Sequence, residues 1–123
     1  MKYQDLKSKS VSTLVRYFRE ISLAQDSAEI DGAIARYNQL FAIRMAIGKE
    51  LRLRPGDQRR ALMALYDDPN LRVRLYAALE TLVVEPTESR QILQQIHGWR
   101  LTPYCAEAAS ILSKLDDGSF LPT

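Results

Sequence analysis

Leu65-Tyr66-Asp67-Asp68-Pro69-Asn70-Leu71-Arg72-Val73-Arg74 is the stretch on which the reading of the fold turns. Before it, Gln58 to Tyr66 carries Ala61, Leu62, Leu65 and Tyr66 at the spacing of one helical face. After it, Leu71, Val73, Ala77, Ala78, Leu79 and Leu82 supply a second apolar face. Between them, Asp67-Asp68-Pro69-Asn70 breaks the pattern. Asp68 is suited to accept free N–H groups at the start of the second helix, and Pro69 has no N–H to lose at a first helical position. A connection this short makes the two helices antiparallel neighbours. Neither can bury its stripe alone, so further helical layers are expected on both sides.

Working outward, proline and glycine mark the other boundaries. Arg54-Pro55-Gly56 ends one helix, and Asp57 opens the hairpin just described. Upstream, Ser10 or Ser12 caps a helix running to about Ala24, and Gln25-Asp26-Ser27 reads as a turn. A long helix follows from about Ala28 to Leu53. Downstream, Pro86 opens a helix that buries Ile92, Leu93 and Ile96 and reaches about His97, with Gly98 suited to its C-cap. Thr102-Pro103 opens the last helix, and Asp116-Asp117-Gly118 stops it. Phe120 and Leu121 are expected to dock back on the body. The prediction is an all-α chain of about six helices arranged as stacked antiparallel hairpins. It forms a single domain over residues 1–123, with 1–9 as a flexible tail.

These residues resemble a known pattern. Asp68-Pro69-Asn70, then Val73-Arg74, then Ala77-Ala78 is similar to the turn and second helix of a HEAT repeat. That resemblance implies a HEAT-like α-α superhelix. It also implies an Asp68–Arg74 ladder between adjacent hairpins, with Val73 and the alanines facing the core. More broadly, the chain resembles a family of short bacterial proteins of uncharacterised function built on such repeats. The likeness is carried by Tyr37-Asn38-Gln39-Leu40-Phe41, by Gly56-Asp57-Gln58-Arg59-Arg60-Ala61-Leu62, and by the end from Leu115 to Thr123. It implies no activity.

Composition limits the function classes. The chain has 123 residues, and a 46% hydrophobic content suits a globular domain with a buried core. One cysteine, Cys105, precludes an internal disulfide and points to a reducing compartment. No apolar run approaches a membrane span, and residues 1–10 lack a hydrophobic signal segment, so a cytoplasmic location is expected. Net charge is only +2. Its distribution is uneven: Arg44 to Arg74 holds eight basic against four acidic residues, and Leu75 to Thr123 three against six.

No catalytic constellation assembles. The lone His97 lacks an oriented partner, and the acid pairs Asp67-Asp68 and Asp116-Asp117 suit caps better than metal ligands. Cys105, near a helix start, has no identifiable base. Five glycines occur singly, so no phosphate loop is present. No enzyme, cofactor or metal is expected. The arginines are the informative polar set. Arg52, Arg54, Arg59, Arg60, Arg72 and Arg74 flank two successive turns, and arginine grips carboxylate or phosphate through paired hydrogen bonds. The favoured expectation is a protein–protein interaction module, adaptor or regulatory, binding a protein or peptide. Arg59, Arg72, Arg74 and Trp99 are its candidate contacts, and Asp68, Pro69 and Val73 its structural residues. The alternative is nucleic acid held along the Arg52–Arg74 edge. Two features count against it: the small net charge and the absence of aromatics among the arginines. A homo-oligomer is left open.

Overall fold

A computed structural model describes residues 2–123. Among them are five α-helices, two 3-10 helices and no strand. The chain divides into two compact units, Met1–Ala61 and Leu62–Thr123. It passes from one to the other within the 3-10 helix Gln58–Leu65.

The N-terminal unit is a hairpin of two long helices, α1 (Val11–Ile30) and α2 (Ile34–Leu53). Ser10 caps α1 by accepting from the Thr13 N–H, as its side chain allows at a helix start. The reversal lies at Asp31–Gly32–Ala33 and not at Gln25-Asp26-Ser27. Gly32 adopts φ +69°, a left-handed conformation that glycine takes without a Cβ clash. The polar triplet was misleading because Gln25 and Asp26 are buried within α1. Gln25 Oε1 accepts from Arg44 Nε of α2 at 2.8 Å, so a polar pair joins the helices in the middle of an apolar hairpin. Leu14, Tyr17, Phe18, Ile21, Ala28, Ile47 and Leu51 are the buried apolar residues around it.

Residues 1–9, read as a flexible tail, are held in place over their described part. The Tyr3 ring meets Tyr17 edge-on at 5.0 Å, and its hydroxyl donates to Glu20 at 2.9 Å. A 3-10 turn at Leu6–Ser8 presents carbonyls to the Arg54 guanidinium, which also reaches Lys9 O at 2.7 Å. Met1 lies outside the described residues.

In the C-terminal unit, α3 (Leu71–Glu80), α4 (Pro86–Gly98) and α5 (Tyr104–Asp117) pack on one another. Val73, Leu75, Tyr76, Ala77, Ala78, Leu82, Leu93, Ile96 and Ala108 are buried. The segment before α3 is a 3-10 helix and not an α-helix. The break at 67–70 is real, but its cap is Asn70, which accepts from the Val73 N–H, so Pro69 precedes the helix and does not start it. Asp68 is buried and closes the turn by accepting from the Asn70 N–H at 2.9 Å. Pro86 starts α4 as its missing N–H permits. Gly98 lies inside α4, and the left-handed residue beyond it is Arg100. Gly118, at φ 78°, ends α5. Phe120 is half-buried and donates its N–H to Lys114 O, but Leu121 is exposed.

Candidate functional site

The arginines define the first candidate surface, and most of them are already engaged. Arg72 has no exposed side-chain surface. Its Nη1 lies 2.8 Å from both Glu107 oxygens, and its guanidinium sits over the Tyr76 and Tyr104 rings at 5.3 and 5.0 Å. It is a buried fastener between α3 and α5 and not a surface contact. Arg59 is buried as well, forked onto Asp57 with Nε–Oδ1 at 2.9 Å and Nη2–Oδ2 at 2.7 Å. That fork holds the Asp57 carboxyl below its ordinary value, against the opposing effect of partial burial. Asp57 itself takes φ 51°, so the pair braces a left-handed turn after Gly56.

Arg74 is half-buried and donates to the Asp68 carbonyl, with Asp67 O at 3.5 Å. The Asp68–Arg74 contact is therefore made to a backbone oxygen within one turn. Its guanidinium stacks over the ring of Trp99, which is exposed. Arg74 and Trp99 are the two sequence-derived contacts that the fold brings together at a surface. Arg54 is half-buried on Glu50 at 2.7 Å and on the N-terminal carbonyls. Arg52 and Arg60 are exposed. Val73 is fully buried.

The second surface was not visible from residue type alone. At 100° per residue, Ile34, Phe41, Met45 and Arg52 of α2 fall within about 40° of one line, with Ala35, Ala42, Ala46 and Leu53 beside them. All eight are exposed, Ile34 by 74%, Leu53 by 66% and Phe41 by 43%. The opposite side of α2 holds its buried residues Arg44, Ile47 and Leu51. Apolar residues thus surround α2, as in helices covered on every side, yet one side faces solvent. Arg44 lies beneath this face, its guanidinium 5.4 Å from the Phe41 ring and 6.0 Å from the Phe18 ring. A cavity of about 300 Å³ opens beside the N-terminal end of the face, lined by Ala28, Glu29, Gly32, Ile34 and Tyr37.

The other reactive types lie apart. His97 is exposed in the last turn of α4, and Cys105 is half-buried in the first turn of α5. Among the described residues no group of three or more His, Cys, Asp or Glu could hold a metal ion. None of the described helices is long and apolar enough to cross a membrane. Burial pushes the Tyr66 hydroxyl up, against the hydrogen bond with Thr81, which acts in the opposite sense. Its oxygen is hydrogen-bonded to Thr81 Oγ1, so this is a core contact.

A family model described as Domain of unknown function (DUF2019) matches residues 12–116. Among solved structures, the chain is similar to the protein RPA1889 from the bacterium Rhodopseudomonas palustris CGA009. The two share 39% identity and a TM-score of 0.94, over 97% of this chain and 98% of that one. No curated protein matches the chain.

Proposed function

The chain belongs to the DUF2019 family, whose description names no activity, and we propose from its geometry that it is a non-enzymatic protein-binding module. One observation carries this reading. The exposed face of α2 presents Ile34, Phe41, Met45 and Leu53 together, an apolar surface of the kind that marks protein interfaces. The hairpin beneath is stiffened by the Gln25–Arg44 hydrogen bond, so the face is pre-organised and little conformational entropy is lost on docking. The all-helical fold is read as HEAT-like in layout, and its setting as cytoplasmic. The contact set is revised accordingly. Arg59 and Arg72 act within the fold, Arg74 and Trp99 form a second, smaller polar contact, and the α2 face is principal.

The nucleic-acid alternative draws less support than the sequence suggested. Of the arginines from Arg52 to Arg74, Arg54, Arg59, Arg72 and Arg74 are engaged with carboxylates, carbonyls or rings. A phosphate grip would show as binding that weakens steeply with salt. The decisive experiment is affinity capture from the native host with wild-type protein and with Met45→Glu. Proteins retained by the wild type and lost by the variant support the reading. Equal retention by both would remove α2 as the binding surface.

A further inference from the structure

The occupant of the α2 face can be named from its area and its charges. Resting on the protein-binding reading above, we infer that this face pairs with the same face of a second copy, α2 against α2, antiparallel about a two-fold axis near Phe41 and Ala42. Ile34, Phe41, Met45 and Leu53, with the three alanines, expose on the order of 500 Å² of apolar surface at roughly 200 Å² per large side chain. A standard interface buries about 800 Å² per partner, and about 65% of a homodimer interface is apolar, which is about 520 Å². The face therefore matches what one helix pair with its rim would bury in a stable homodimer. Ala35, Ala42 and Ala46 lie along one line of the helix and keep side-chain bulk low on that flank, so two such helices can approach closely.

Charge chooses the direction. The C-terminal end of the face carries Lys49 and Arg52, both exposed. Beside its N-terminal end, the end of α1 and the turn carry Glu29 and Asp31, also exposed. Arg36, the remaining cation at that end, points roughly 200° round the helix from Ile34. Parallel pairing would set Lys49 and Arg52 of the two copies against each other. Antiparallel pairing about the 41–42 axis sets them toward the partner's acids twice over, as a self-complementary two-fold contact requires. Asn38 then faces the partner near its Met45, an uncharged polar group of the kind that fixes register between helices.

The test uses the full chain. Light scattering on a sizing column at about 50 µM should report twice the 14.0 kDa chain mass. Met45→Glu should return it to the single mass with an unchanged circular dichroism spectrum. Lys49→Glu/Arg52→Glu should weaken the dimer ten-fold or more at low salt. In a Cys105→Ser background, Ala42→Cys should cross-link to itself on oxidation. Ala35→Cys should not, because the two copies of that position lie about 20 Å apart along the pair. A wild-type chain of single mass at that concentration overturns the inference, as does a dimer indifferent to Met45→Glu. Self-linking at Ala35→Cys overturns the antiparallel register. A single-mass protein that still captures another protein through the α2 face refutes the second copy and leaves the protein-binding reading standing. A single-mass protein that captures nothing refutes both.

Discussion

Replacing Arg72 by alanine should destabilise the protein more than any change at an exposed arginine. The side chain is fully buried, bridges to Glu107 and lies between two tyrosine rings. Truncation removes a long stem and leaves a cavity, a change that costs about 2–5 kcal/mol in other cores. Each desolvated ring contact adds about 0.5–2 kcal/mol. Against these stands the desolvation that the native guanidinium already suffers, which alanine relieves. Glu107 is 37% exposed, so solvent screens the carboxylate left behind and its stranding adds little. The net expectation is a loss of about 3 kcal/mol, or about 2 M in the urea midpoint for a slope near 1.5 kcal/mol per M. Met at the same position refills the volume without a charge and should lose no more than about 1 kcal/mol, since buried ion pairs are often replaceable by apolar side chains. Glu107→Ala leaves a buried cation facing two rings, and should fall between the two. Urea unfolding followed by circular dichroism measures all three. A loss under about 1 kcal/mol for Arg72→Ala, or equal losses for alanine and methionine, would refute the view that volume and ring contacts outweigh the charge.

Tyr3 is pushed up to about 12 by burial and by its hydrogen bond to Glu20. Absorbance at 295 nm should show a late-ionising tyrosine component that Glu20→Gln brings forward. Its folded value exceeds its unfolded one, so its contribution to stability is complete below about pH 10 and disappears as pH rises through about 12. Asp57 has the opposite sign: Arg59 lowers its carboxyl, so the pair stabilises above about pH 4 and is lost as pH falls through the folded value. Thermal scans from pH 2 to 7 should therefore show a shallower acid decline for Asp57→Asn than for the wild type, with lower stability at pH 7. Arg74→Ala should leave stability within about 1 kcal/mol. It should also raise acrylamide quenching of Trp99, the single tryptophan, by uncovering one face of the ring, and unchanged quenching would deny the stacking.

Helix content and most boundaries could be read from local chemistry, because proline, glycine and asparagine act on their own backbone wherever they stand. Pro55-Gly56, the break at 67–70, Pro86 and Gly118 all mark element ends. Local chemistry failed where a distant partner changed the value of a residue. Gln25 and Asp26 look like a turn until Arg44, nineteen positions on from Gln25, supplies the hydrogen bond that lets Gln25 stay inside a helix. Gly32, by contrast, falls inside the helix expected from Ala28 to Leu53 and is the point where the chain reverses.

The site was less legible for the same reason. A charged residue type predicts solvent, yet Arg72 is buried because Glu107, thirty-five positions away, arrives on α5 with Tyr104. Arg59 had its partner two residues away, so Asp57-Gln58-Arg59 held a signal that pairing at short range could have found. For α2, a helix apolar on all sides has no periodicity to say which side the chain itself will cover. Its sequence determined that it would be a helix with more apolar surface than one neighbour can bury. Only the packing of α1 against Ile47 and Leu51 decided that Ile34, Phe41 and Met45 would be left outside. Backbone preference is settled among adjacent residues, but burial is settled by what folds against them.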